Sequence, residues 1–319
     1  MQRDRVYFER DHYRLFMDEN GIMAVDKKEK EWTLLDLLNW TTQYFEGKGI
    51  DDARLNAEIL LSEVMEMERV MLYARFENTV PAEKRRAFRR LVSKRADHQP
   101  LQYLLGSAEF YGRQFDVNPA VLVPRQETEL VVDKCLEKIP AEMQDFMAVD
   151  IGTGSGVIGL TLACERKGID VIATDTSGEA LDVARSNAHV LGVDDRVDFY
   201  EGKLCDPLMG QEADIELIAS NPPYIPTGEI DDLQPEVSEW EPREALDGGE
   251  DGLDAIRELV PRAADFLAAG GWLILEIGES QAEDVRGFVA DEDDLDGKSV
   301  ETVSDDNCVR VMAVRKKSS

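Results

Sequence analysis

The sequence predicts an α/β fold, a parallel, doubly wound sheet preceded by a small helical domain and a β-hairpin linker. Three observations carry this. From residue 147 onward, short apolar runs of strand length alternate with helical patterns, which is how a chain of βαβ units reads. A glycine-rich turn, Gly152-Thr153-Gly154-Ser155-Gly156, joins the first of these strands to its helix. Between residues 32 and 99 the apolar residues recur at spacings of three and four, giving helices with one buried face.

Residues 1–31 are highly charged, lack clear periodicity and run through Lys27-Lys28-Glu29-Lys30. They form an extension outside the main fold, with room for a short helix. The helical domain spans 32–99 and holds three expected helices. The first buries Leu34, Leu37, Leu38, Thr41 and Phe45. Asp51 or Asp52 caps the second, which carries Ala57, Leu60, Leu61 and Val64 on one side. Pro81 suits the first turn of the third, which runs to about 96. That helix concentrates Lys84, Arg85, Arg86, Arg89, Arg90, Lys94 and Arg95. They read as a solvated face paired with nearby carboxylates, or as a docking surface for an anionic partner.

Residues 100–125 hold Pro100, Gly106, Gly112 and Pro119 between β-like runs such as 114–117, and read as the hairpin linker. The main domain spans 126–319 and opens with a helix over 126–138. Strands follow at 147–151, 171–174, 197–200, 215–219 and 272–277. Helices lie at 157–166, 178–191, 253–267 and 281–289, with Pro261 expected to bend or break the third of these. Residues 299–303 and 309–314 close the chain as an antiparallel pair. Ligands of such sheets sit beyond the carboxyl ends of the strands, near the point where strand order reverses.

Composition narrows the class. The 319 residues suit one large and one small domain, and an apolar fraction of 43% suits ordinary cores. No apolar stretch reaches membrane-spanning length, and the N-terminus MQRDRVYFERDHYRLF lacks a signal core, so a cytoplasmic protein is expected; a monomer is the expected state. Cys135, Cys164, Cys205 and Cys308 form no C-x-x-C pair and read as reduced thiols, most of them buried. His12, His98 and His189 are scattered singly, so no metal site is expected. The net charge of −30 repels nucleic acid. It fits either a high-salt cytosol or a plain acidic enzyme; structure retained on dilution to low salt would argue against the former.

Gly152 to Gly156 permit a tight turn and close approach of a ligand to the backbone. The loop admits two readings, because Gly154-Ser155-Gly156-Val157-Ile158-Gly159 also fits the dinucleotide pattern G-x-G-x-x-G. Asp175, ending the second strand, suits ribose hydroxyls in either case. Asp150 and the G-x-G-x-G spacing favour S-adenosylmethionine, since a pyrophosphate seeks positive charge whereas a sulfonium tolerates carboxylates.

Asn221-Pro222-Pro223-Tyr224 follows the fourth strand. Two prolines end a ladder and stiffen the turn at the strand's carboxyl end. An amide or aromatic amine nitrogen is a poor nucleophile because its lone pair is delocalised. The side-chain oxygen of Asn221 and the carbonyl of Pro222 suit acceptance of both its N–H bonds in a geometry that favours a pyramidal nitrogen. Neither needs to titrate, and fixed carbonyls act best in a dry site. Tyr224 suits packing on a planar group. Together these point to methyl transfer onto a planar nitrogen, with Asn221, Pro222 and Tyr224 as the catalytic candidates and Pro223 beside them.

The ordered motifs resemble those of the release factor glutamine methyltransferases, the HemK/PrmC-like family. The resemblance covers roughly 32–315. Its marks are Pro100-Leu101-Gln102-Tyr103-Leu104-Leu105-Gly106, Glu109-Phe110-Tyr111-Gly112 and Val123-Pro124-Arg125-Gln126-Glu127-Thr128-Glu129. The glycine loop and Asn221-Pro222-Pro223-Tyr224-Ile225-Pro226 follow, and then the run from Trp240-Glu241-Pro242-Arg243 to Gly252-Leu253. It implies a helical substrate-recognition domain and a seven-stranded S-adenosylmethionine-dependent methyltransferase domain. It implies methylation of the glutamine in the Gly-Gly-Gln motif of peptide chain release factors, a step that serves translation termination. By position, Gly152, Thr153, Gly154, Ser155 and Gly156 hold the amino-acid end of the cofactor, Asp175 its ribose and Leu204 its adenine. Asn221 through Tyr224 bind the glutamine amide, with Asn221 also beside the cofactor. Gln126 and Lys203 depart from the family's usual proline and acidic residue.

Three other readings compete. An adenine amino-methyltransferase acting on DNA or RNA shares the tetrapeptide but needs a basic face. A dehydrogenase shares the glycine loop. A binding protein without catalysis would keep the helical domain and not need Asn221.

Overall fold

The computed structural model describes residues 14–17, 23–26, 31–142, 145–210, 214–305 and 308–318. The chain divides into two compact units, Met1–His98 and Gln99–Ser319. In the first, β1 (Arg14–Met17) and β2 (Met23–Asp26) pair antiparallel, where the sequence left room for a short helix. The rest of the 1–30 extension lies outside the described residues.

Helix α1 (Leu34–Glu46) starts at Thr33, whose hydroxyl accepts from the Asp36 amide while the Asp36 carboxylate accepts from the Thr33 amide. This reciprocal cap satisfies two free donors of the first turn. Its buried face is Leu34, Leu37, Leu38, Thr41 and Phe45, as the spacing predicts. α2 (Ala53–Met65) buries Ala57, Leu60, Leu61 and Val64. Its capping differs from expectation: Asp52 occupies the N-cap at φ 48° without a side-chain cap bond. Four helices form rather than three, because α3 (Arg69–Ala74) is too short to show a period and buries only Leu72. Pro81 stands one position ahead of α4 (Ala82–Ala96). The basic cluster of α4 is split in its surroundings. Lys84 pairs with Glu66 at 2.5 Å, and Arg95 is buried and donates to Asn56 Oδ1 at 2.8 Å. Arg86, Arg89, Arg90 and Lys94 are exposed.

In the second unit a short α5 (Leu101–Leu105) precedes β3 (Ser107–Phe110) and β4 (Arg113–Asp116). These pair as a hairpin across Tyr111 and Gly112, both at positive φ, the conformation that matches strand twist in two-residue turns. Phe110 and Phe115 meet edge to face at 6.0 Å and are fully buried. A 3₁₀ turn at Gln126–Thr128 leads into α6 (Glu129–Lys138).

The alternating segment then runs β5 (Phe146–Ile151), α7 (Val157–Glu165), β6 (Ile169–Asp175), α8 (Gly178–Leu191), β7 (Val197–Glu201) and β8 (Ile215–Ser220). A short α9 (Pro235–Ser238), α10 (Asp254–Phe266), β9 (Leu267–Glu276), α11 (Ala282–Asp291), β10 (Leu295–Asp305) and β11 (Cys308–Lys316) complete it. One seven-stranded sheet results, in the order β10-β11-β9-β8-β5-β6-β7. β5 to β9 are mutually parallel where they pair, and β10 and β11 run antiparallel. The final pair is therefore as the sequence predicts. α10 passes through Pro261 without a break.

Period-two burial gives the sheet its two cores. Leu217 and Ala219 of β8 pack with α6 and α7, whereas Ile218 packs with α10 and α11. Strand order reverses between β5, which leads to β6 and β7 on one side, and β8, which leads to β9 on the other. Among the described residues, no helix is long and apolar enough to cross a membrane.

Candidate active site at the carboxyl edge of the sheet

A parallel sheet brings the last residues of its strands to one edge, and here most of those last residues are polar. β5 leads into the glycine loop, β6 ends on Asp175, β8 on Ser220 and β9 on Glu276. One cavity opens at this edge. Gly152, Thr153, Gly154, Ser155, Asp175, Leu204, Asn221, Pro222 and Pro223 line it. Two expected site residues stand behind the wall. Gly156 is buried at the N-cap of α7, and Tyr224 turns its hydroxyl toward Glu276.

Asp150 shapes the loop from beneath. Its Oδ2 accepts from Thr153 Oγ1 at 2.7 Å and from the Gly159 amide at 2.9 Å, and the residue is buried. Burial pushes its carboxyl up to about 6, partly held down by those two donors. Its place before the loop makes Asp150 a cofactor candidate in the sequence; in the structure it is the strut of the turn, outside the cavity lining.

Asp175 ties the loop to the second strand. Oδ2 accepts from the Gly154 amide and Oδ1 from the Ser177 amide, each at 2.9 Å. Burial raises its pKa against the pull of these amides, and Glu244 adds to the rise. Each carboxylate oxygen keeps a second lone pair for a ligand hydroxyl. At Gly154, φ is +56° and a Cβ would meet nothing within 4 Å, so packing does not explain the glycine. A bare backbone beside open space is what close ligand approach requires.

Two cationic side chains line the cavity, and both are already paired. Arg125 binds the buried Glu241 through both carboxylate oxygens at 2.7 and 2.6 Å, and Lys203 pairs with Glu258. Asp175 and Glu244 also line it. With the partners Glu241 and Glu258 counted, carboxylates outnumber cations four to two around the cavity, which suits a sulfonium better than a pyrophosphate. Lys203, which departs from the family pattern, therefore adds no uncompensated charge. Leu204 lines the cavity in the left-handed region at φ 49°, with its carbonyl accepting from Thr174 Oγ1 at 3.3 Å.

The tetrapeptide is held by the segment that follows it. Ile225 N donates to Leu246 O and Gly248 N to Ile225 O, forming a parallel bridge between Ile225 and Asp247. Gln281 Nε2 donates to both Tyr224 O and Gly252 O at 3.0 Å. Asn221 Nδ2 donates to Thr128 Oγ1 at 3.2 Å, and Tyr224 Oη donates to Glu276 Oε1 at 3.2 Å. Burial and the adjacent Glu276 push the Tyr224 phenol above its usual range. Arg125 and Thr128 belong to the 123–129 motif without a site role assigned from the sequence, and Glu276 and Gln281 have no motif to mark them. The available signal was a carboxylate ending the apolar run Trp272-Leu273-Ile274-Leu275 at the ligand edge.

Residues 36–106 match the family described as the PrmC N-terminal domain, and residues 128–234 match the methyltransferase small domain. A Geobacter sulfurreducens protein named release factor glutamine methyltransferase is 45% identical over 262 residues, covering 82% of this chain and 90% of that one. The same name belongs to a Chlorobaculum tepidum protein that is 40% identical, over 82% of this chain and 91% of its own. A Moorella thermoacetica protein of that name is 43% identical, over 80% and 88%.

Proposed function

The chain belongs to the release factor glutamine methyltransferase family, and on that premise we propose the reaction in full. It moves a methyl group from S-adenosylmethionine to the side-chain amide nitrogen of the glutamine in the Gly-Gly-Gln motif of peptide chain release factors. The observation that carries this is the meeting of three features in one cavity at the reversal of strand order: the glycine loop, Asp175 and Asn221-Pro222-Pro223.

The residues present fit the cofactor. Gly152 to Ser155 offer backbone at the cavity wall, Asp175 offers acceptor capacity, and the acidic balance suits a cation. When bound, S-adenosylmethionine supplies an electrophilic methyl on a positive sulfur. Everything else falls to the chain. Asn221 Oδ1 takes no partner among the described residues, because the amide's only bond runs from Nδ2 to Thr128. It and the Pro222 carbonyl accept the two amide hydrogens of the glutamine. The nitrogen is thereby favoured in a pyramidal form with its lone pair freed. Pro222 is buried, and the two prolines restrict the carbonyl directions in advance. The methylated nitrogen carries one positive charge and releases one proton to solvent, while Asn221 Oδ1 and the Pro222 carbonyl accept hydrogen bonds and stay unprotonated.

Asp175→Ala removes an acceptor for the ribose and unties the loop. Loss of a charged hydrogen bond of ~1.5–3 kcal/mol weakens S-adenosylmethionine roughly 10- to 100-fold. Titration calorimetry on the folded variant measures this; an unchanged Kd places the ribose elsewhere.

The reaction is tested with labelled S-adenosylmethionine and either release factor or duplex DNA, followed by mass spectrometry of the release factor. Label on the Gly-Gly-Gln glutamine is the expected result. Label on DNA and none on release factor refutes the assignment and favours the adenine reaction.

A further inference from the structure

An asparagine amide has nearly the same shape with its oxygen and nitrogen exchanged, so its neighbours decide which end faces a substrate. For Asn221 the neighbour is the buried hydroxyl of Thr128, which accepts from Nδ2 at 3.2 Å. A hydroxyl that accepts from Asn221 must send its own hydrogen elsewhere. The group that invites it is Glu276. This carboxylate ends β9, is 1% exposed and accepts from Tyr224 Oη through Oε1. Its Oε2 is buried and no donor completes a hydrogen bond to it, while the Thr128 hydroxyl is close enough to favour the charged form. A buried carboxylate oxygen without a donor is costly, so a neighbouring hydroxyl that turns toward it lowers that cost.

We propose that Glu276 is a positioning residue: through Thr128 it holds the Asn221 amide with Oδ1 toward the cavity, and through Oε1 it anchors the Tyr224 phenol. The inference rests on the methyl-transfer reading above and names a residue that acts without touching substrate. With Glu276 ionised, the Thr128 hydrogen turns toward the carboxylate and the hydroxyl lone pair faces Asn221 Nδ2. With Glu276 protonated, the acid hydrogen goes to Thr128 Oγ1. The Thr128 hydrogen then goes to Asn221, whose amide turns over to meet it. The cavity now faces an NH₂ group, which cannot accept the hydrogens of the glutamine nitrogen.

Several charged groups bear on Glu276. Burial raises its pKa to about 7, against the hydroxyls of Thr128 and Tyr224; Glu127 adds to the rise, and Arg310 of β11 opposes it. Because the active form is the ionised one, kcat falls as pH drops through the Glu276 pKa.

The experiment follows kcat and KM for release factor methylation across neutral pH. The wild type shows an acid limb with a midpoint near 7. Glu276→Gln lowers kcat roughly tenfold, about one hydrogen bond's worth, leaves both KM values within about twofold and abolishes the acid limb. Thr128→Val loses kcat to a similar degree, and Thr128→Ser keeps most of it. A Glu276→Gln enzyme with wild-type kcat and an intact acid limb overturns the proposal, as does an equal loss in the two Thr128 variants. A second measurement needs no substrate. In protein labelled with ¹⁵N-asparagine, the Asn221 side-chain amide signals, assigned by their loss in Asn221→Ala, shift with a midpoint near 7. They stay still in Glu276→Gln. Motionless wild-type signals overturn the proposal, whereas a wild type that leaves release factor unmethylated overturns the reaction and leaves this arm standing.

Discussion

Asn221→Ala lowers kcat by about 10²- to 10³-fold, the scale expected when one fixed polar group is removed from a dry site. The side chain lines the cavity and makes one hydrogen bond, to Thr128. Losing that bond costs stability only about 1 kcal/mol. The variant therefore melts close to the wild type, and its defect appears in turnover rather than in folding. Single-turnover methylation at saturating cofactor measures it. Near-normal turnover would remove Asn221 from the chemistry and revive the reading of a binding protein that has no need of it.

Gly252→Ala damages the same chemistry from a distance. Gly252 sits at φ +75°, and a Cβ there would lie 2.4 Å from the Tyr224 carbonyl, 2.9 Å from Gln281 Nε2 and 3.2 Å from Pro226 Cδ. The first contact is with backbone and cannot swing aside. A left-handed penalty of about 1–2 kcal/mol adds to overpacking of about 1–3 kcal/mol, so urea unfolding should register a loss of about 2–5 kcal/mol. Relief comes by moving Tyr224, and with it the tetrapeptide. Because displacement of reacting groups by about 1 Å costs on the order of 10²-fold, kcat falls with stability. A variant as stable and as active as the wild type would show that the 240–253 segment does not hold the tetrapeptide in place.

The elements of the sheet were legible because each is a local pattern. Runs such as Ile215-Glu216-Leu217-Ile218-Ala219 and the glycine turn announce themselves within a few residues. The α1 face was equally plain from its spacing. What escaped was short or distant. α3 offers a single buried residue, too little for a period. Asp52 resembles a capping residue in sequence, yet its backbone turns left-handed and its side chain makes no cap. Pro261 should disturb a helix, yet α10 runs through it unbroken.

The site divides in the same way. Asn221-Pro222-Pro223 and Gly152 to Ser155 are contiguous stretches, and they meet in one cavity. Thr128, Asn221 and Glu276 stand far apart in the chain and come together only because strand order brings the ends of β8 and β9 beside the turn before α6. No spacing rule joins them. Asp150 shows the opposite case, a charged residue beside a ligand loop whose bonds all run inward.

The bridge between Ile225 and Asp247, with Gln281 fastened to Tyr224 and Gly252, has a consequence for transplantation. Asn221-Pro222-Pro223-Tyr224 is a short tag in the sequence, but its carbonyls are aimed by residues about thirty and sixty positions downstream. A graft carrying those four residues alone into another sheet of this kind would arrive without its supports. The portable module is the whole return loop together with the glutamine at the start of α11, and recombination that respects function should cut outside it.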